Sequence, residues 1–210
     1  MVITYFGASF FKVQFADLSI AVNPISKNSK LKTSRFGADI ALVSMNHPDL
    51  NGLSEVAFGD KKPFAIVGPG EYEVKEVFIK GFAAGKNREG QLNTMYLVSL
   101  EGMNLCFLGA LSSKDLETDT KEALPDIDIL FVPIGGENVL TASEAYKLAV
   151  LLEPRMIIPT HYRTDADGVA ALKAFLKEEG VKAEPQEKLT IKKKDLEGKE
   201  GEITVLSPAD

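Results

Sequence analysis

The chain has two histidines, and each stands where a strand-like run gives way to a polar loop. His47 lies in "ALVSMNHPDLNGL" at 41–53 and His161 in "RMIIPTHY" at 155–162. His47 and Asp49 are two residues apart, which puts both side chains on one side of an extended segment. If the two loops meet, two imidazoles and a carboxylate converge, a set that suits zinc, iron or manganese. Plainer readings compete with this one. A loop histidine often does no more than bond to backbone, and an aspartate followed by Leu-Asn-Gly is well placed to accept from backbone N–H groups in a turn. Cys106, the one cysteine, sits in the apolar run "NLCFLG" and reads as a small buried side chain. No serine or cysteine stands in a motif that would activate it as a nucleophile.

The elements that must position these residues are mostly strands. Apolar residues recur at strand spacing in "VITYF", "SFFKVQF", "LSIAVN", "ADIALVS", "NTMYLVSL", "MNLCFLG", "IDILFVPI" and "RMIIPT". Glu101-Gly102 reads as the tight connection between two paired strands, and near-continuous runs such as "DILFVPI" predict sheets covered on both faces. Helices are fewer and late. In "LTASEAYKLAVLLEP" Thr141 and Glu144 have capping-box spacing, with Pro154 past the end. "TDADGVAALKAFLKEEG" predicts a second helix capped by Thr164 or Asp165, with Val169, Leu172, Phe175 and Leu176 on one face and Gly180 closing it. A third is expected in "SSKDLETDTKEAL", capped near Ser112 or Ser113. The basic run "KLTIKKKDLEGKEGE" at 188–202 reads as a solvated edge hairpin. Gly135-Gly136 after "FVPI" predicts either a close backbone approach or a tight turn. The halves show a loose parallel, since a histidine loop follows a strand's carboxyl end in each.

A chain of 210 residues with 45 % hydrophobic and 26 % charged residues is expected to fold as one soluble domain, 1–210. No apolar run approaches the roughly 20 residues that cross a bilayer, so no membrane role is expected. The single cysteine suits a reducing, cytoplasmic setting. A net charge of -6 argues against a nucleic-acid footprint, which needs clustered Lys and Arg.

Four stretches together resemble the metallo-β-lactamase-fold hydrolases, in the lactonase-like branch of zinc-dependent hydrolases. They are "ADIALVSMNHPDLNGL", "GPGEYEVKEVFIKG" at 68–81, "LCFLGALS" at 105–112, and "DIDILFVPIGGENVLTASEAYKLAVLLEPRMIIPTHY" at 126–162. The likeness covers nearly the whole chain. It implies an α/β fold, a four-layer αββα sandwich with its site at the edge of two sheets. It also implies a loop of the form Ser-His-x-His-x-Asp-His, from which this chain departs. Met45 stands at the first histidine, Leu50 at the third, Ala110 at the bridging aspartate and Asn23 at a position commonly aspartate, while no histidine lies between 47 and 161. What the resemblance leaves is His47 from one metal position, and Asp49 with His161 from the other. Two metals about 3.5–4 Å apart would need more ligands than that. Two expectations stay open. In one, a single zinc, manganese or iron ion is held weakly by His47, Asp49 and His161, and Asp49 or the ion activates water. In the other, no metal is bound, and the old cleft or a sheet edge takes a small molecule or a protein partner; a homo-oligomer stays open in either. Met45 and Leu50 are expected as packed core.

Overall fold

A computed structural model of the chain describes residues 1–87, 90–135, 138–162 and 166–209. β1 (Val2–Tyr5), β2 (Phe11–Phe15) and β3 (Leu18–Val22) form an antiparallel meander, to which β4 (Ile40–Leu42) and β5 (Phe64–Ile66) add in parallel. β6 (Gly70–Val74), β7 (Val77–Lys86), β8 (Leu92–Leu100) and β9 (Met103–Phe107) form a second meander, extended in parallel by β10 (Ile129–Pro133) and β11 (Met156–Thr160). β12 (Lys188–Thr190) joins β1, and β13 (Glu202–Ile203) joins β11. The sheet orders are therefore β12-β1-β2-β3-β4-β5 and β13-β11-β10-β9-β8-β7-β6.

Alternation decides which face meets the core. Ile20, Val22, Ile40 and Leu42 point between the sheets, where they join Leu105, Phe107, Ile129 and Phe131 of the second sheet in one cluster. An edge-on ring contact crosses the gap, Phe11 to Phe131 at 4.9 Å between centroids, and Phe131 stacks on Phe107 of its own sheet at 4.0 Å. The opposite face of the first sheet presents Ala21 and Ala41. Those small side chains let Phe10, Ile25, Ala38 and Val56 pack closely against them. On the second sheet's outer face lie α2 (Ala142–Leu152) and α3 (Ala166–Glu178), with Ala145, Leu148, Ala149 and Phe175 in the main cluster. The result is the expected αββα sandwich. Its layer over the first sheet is thin, made by the segment 24–38 and a one-turn 3-10 helix, Leu53–Val56.

The parallel between the halves has a structural basis. Asp39 precedes β4; its N–H donates to Ser19 O at 2.8 Å, and its Oδ2 accepts from Ser19 N at 2.9 Å. Asp128 precedes β10 and repeats both bonds with Asn104, at 2.9 and 2.8 Å. β4 thus corresponds to β10 and β5 to β11. The histidine loops are not equivalents, because His47 follows β4 whereas His161 follows β11.

Local signals held where one turn settles them. Glu101 and Gly102 both have positive φ, 55° and 69°, which closes β8 on β9 as a hairpin. Thr141 and Glu144 form the reciprocal capping box of α2. Gly180, at φ 69°, follows the end of α3. Three expectations need correction. The run 188–202 is not a hairpin: β12 and β13 belong to different sheets, joined through a 3-10 turn at Lys193–Leu196 that buries Leu196. The third helix, α1 (Thr118–Glu122), starts later than expected, because Ser113 Oγ closes a local turn by accepting from Asp115 N at 3.1 Å. On α3, Phe175 is buried but Val169 is 42 % exposed, so the buried stripe is narrower than the sequence suggests. Thr164 and Asp165, the expected caps, lie outside the described residues. No described helix is long and apolar enough to cross a membrane.

Candidate functional site

The site is built from loops at the carboxyl ends of β4 and β11. The first loop is stitched to its surroundings through backbone. Ser44 N–H donates to Asn23 Oδ1 at 2.8 Å, and Asn23 itself holds φ 51°, a conformation asparagine tolerates. Asn23 therefore anchors the loop through its amide oxygen. Thr94 N–H donates to Ser44 O at 2.8 Å, Ser26 N–H to Pro48 O at 2.8 Å and Gly52 N–H to Pro24 O at 2.7 Å. A Cβ on Gly52 would lie 2.4 Å from Ile25 O, so only glycine allows that approach.

Inside the loop the candidate ligands are already engaged. His47 O accepts from Leu50 N and Asn51 N at 2.9 and 2.8 Å. His47 Nδ1 accepts from Asp49 N–H at 3.2 Å, and Asp49 Oδ1 accepts from Ser29 Oγ. Asp49 Oδ2 stands 3.8 Å from His47 Nδ1. Met45 and Leu50 turn the other way. With Ala110 and Val139 they form a closed apolar cluster, the four being 5, 2, 4 and 2 % exposed. The Met45 thioether also accepts from Asn87 Nδ2 at 3.5 Å, a weak bond to a soft acceptor. Ala110 N–H donates to Asn93 Oδ1 at 2.9 Å, just after Gly109 at φ 63°. Beside it, Ser44 Oγ is buried with no hydrogen-bond partner among the described residues.

His161 ends β11 with φ 56°, and its N–H donates to Ala8 O. Its Nδ1 is 3.1 Å from Ser9 Oγ. A Cβ at position 135 would lie 2.0 Å from His161 O, so Gly135 serves a close backbone approach; Gly136 lies outside the described residues. Burial pushes the imidazole down to about 4; the Asp49 carboxylate pulls it up and the His47 imidazole pushes it down again. The three candidates therefore do lie within each other's electrostatic reach. A cavity of about 770 Å³ opens there, lined among others by Asp49, His161, Phe6, Ile25 and Val139, but not by His47.

The donor set does not fit a metal centre as it stands. Among the described residues no group of three or more His, Cys, Asp or Glu side chains is placed to hold an ion. His47 Nδ1 and Asp49 Oδ1 are occupied by protein hydrogen bonds. Sequence reasoning found Met45 and Leu50 as core. It missed Ser9, Asn87, Asn93 and Val139, none of which stands in a pattern that sets it apart before the fold brings it near.

The sequence model of the Beta-lactamase superfamily domain matches residues 2–161. A UPF0173 metal-dependent hydrolase of Thermococcus onnurineus is 36 % identical over 90 residues, 42 % of this chain and 40 % of that protein. The chain thus spans two fifths to half of the first curated relatives it matches, at 40, 39 and 52 % of their lengths. A UPF0173 protein of Pyrococcus abyssi aligns at 24 % identity over 96 % of this chain and 99 % of its own. The crystal structure of a Thermotoga maritima protein assigned as a Zn-dependent hydrolase of the metallo-beta-lactamase superfamily superposes with TM-score 0.79 and 28 % identity, over 98 % of this chain and 97 % of that one. With the sandwich, the strand-end loops and a family match over most of its length, this chain belongs to the metallo-β-lactamase superfamily.

Proposed function

We propose that this chain is a hydrolase-like member of the superfamily that has lost most of its metal ligands and works as a non-catalytic binding protein through the cleft beside His161. The observation that carries this reading is the packed cluster of Met45, Leu50, Ala110 and Val139. Thioether, isobutyl and methyl groups stand where the resemblance places two imidazoles and a carboxylate, and they exclude water from that space. Relatives named metal-dependent hydrolases supply the ancestry. Hydrolysis of a lactone, a p-nitrophenyl ester and a phosphodiester, with zinc, manganese or iron(II) added, is expected at the protein-free rate. A metal-dependent rate abolished by His161→Ala would overturn the proposal.

One observation favours a second reading, a single weakly held ion on His47, Asp49 and His161. His161 feels both the Asp49 carboxylate and the His47 imidazole, and Asp49 Oδ2 stands 3.8 Å from His47 Nδ1. It predicts about one equivalent of metal per chain, lost in both histidine variants.

A further inference from the structure

The cavity keeps polar groups that the apolar cluster does not cover, and their hydrogen bonds fix what they offer. Ser9 is 4 % exposed, and among the described residues its hydroxyl has one partner, His161 Nδ1 at 3.1 Å. A buried hydroxyl needs an acceptor for its proton. If Nδ1 carried the imidazole proton, the Ser9 hydroxyl would accept from it and its own proton would have no acceptor among the described residues. Ser9 therefore donates to Nδ1, and the neutral ring carries its proton on Nε2. That is the reverse of a metal-binding imidazole, which presents a bare nitrogen to the ion and donates from its other one. The backbone that carries the ring is held on both sides. The His161 N–H is bonded to Ala8 O, next to Ser9, and the His161 carbonyl lies against Gly135.

Asp49 supplies the complement. Oδ1 accepts from Ser29 Oγ, whereas Oδ2 receives no hydrogen bond among the described residues, and Asp49 lines the same cavity as His161. Around them stand Phe6, Ile25, Leu31 and Val139. Lys32 and Asp167, also in the lining, add one charge of each sign.

We infer that this cleft is a hydrogen-bonding pocket in which the neutral His161 ring donates from Nε2–H and Asp49 Oδ2 accepts, and that it takes an apolar small molecule bearing an amide or hydroxyl group. An anionic head can accept from His161 but cannot donate to Asp49. An ammonium can donate to Asp49 but cannot accept from His161. An amide or alcohol does both, and its apolar body fits the four hydrophobic side chains. This rests on the binding-protein reading above.

The test uses the full chain, chelator-treated and labelled with ¹⁵N-histidine. With two histidines, the His47→Gln variant leaves His161 as the one signal in a two-bond ¹H–¹⁵N correlation. The expected pattern at pH 7.5 is the Nε2–H tautomer, with that preference lost in Ser9→Ala. Benzamide is expected to shift the His161 signal more than benzoate or benzylammonium does, and Asp49→Asn to weaken its binding about tenfold. An Nδ1–H tautomer overturns the inference. So does a larger response to benzoate or benzylammonium, or no response at His161 to any of the three at millimolar concentration. Stoichiometric metal would sink the binding-protein reading, whereas an Nδ1–H ring in metal-free protein sinks this inference alone.

Discussion

At the scale of the residue, Met45, Leu50 and Ala110 do the opposite of what their positions in the motif would ask. Leu50 is buried against Met45, Ala110 and Val139, so Leu50→Ala should leave a cavity and cost about 2–5 kcal/mol, while the volume-conserving Leu50→Met should cost less than about 1.5 kcal/mol. Urea denaturation midpoints would show the difference. Ser44 poses the reverse case. Its hydroxyl is buried and has no partner among the described residues while its backbone bonds hold the loop, so Ser44→Ala should be neutral or raise stability by about 1 kcal/mol, read from the same midpoints. A loss above about 1 kcal/mol would mean that the hydroxyl has a partner. Met45 and Leu50 were legible as core because an apolar side chain in a polar loop has few other uses. Ser9 was not legible, because its bond to His161 spans 152 residues and exists only once the strands are stacked.

The elements are held at their starts by two buried carboxylates, Asp39 before β4 and Asp128 before β10. Lys193 reaches Asp128 at 2.8 Å, which ties the basic run to the start of β10 as it passes from one sheet to the other. For Asp39, burial alone would raise the carboxyl's pKa. The hydrogen bonds from Lys75, Lys61 and Ser19 outweigh it and hold the group well below the usual carboxylate range. A folded pKa below the unfolded one means the stabilisation is present above about pH 4 and is lost as pH falls through the acid range. Asp39→Asn should therefore lower stability at pH 7, by on the order of 1–3 kcal/mol, and flatten the fall between pH 4 and 2, as followed by chemical denaturation at each pH. Both lysines are substantially exposed, so screening by salt should reduce the effect. The sequence showed those elements that are specified within one turn, such as the Glu101-Gly102 hairpin and the Thr141 cap. It misplaced those specified by tertiary partners. Alternation in 188–202 could not say that its two strands join different sheets, and nothing local to α3 told Val169 that its face meets solvent.

For the whole molecule, the sandwich was legible because the order of strand runs and late helices matched a known arrangement over nearly the full chain. The site was legible only in part. The two strand-end loops do come together, but the sequence could not show that His47 Nδ1 and Asp49 Oδ1 were already taken by protein hydrogen bonds, nor that His161 lines the cavity and His47 does not. The account stands on the claim that an apolar cluster has replaced the metal centre, and metal content tests that claim most directly. Untagged protein would be incubated with zinc, manganese and iron(II), desalted and measured by inductively coupled plasma mass spectrometry. The account predicts no metal above background. One or two equivalents per chain, lost in His47→Ala and His161→Ala, would contradict it.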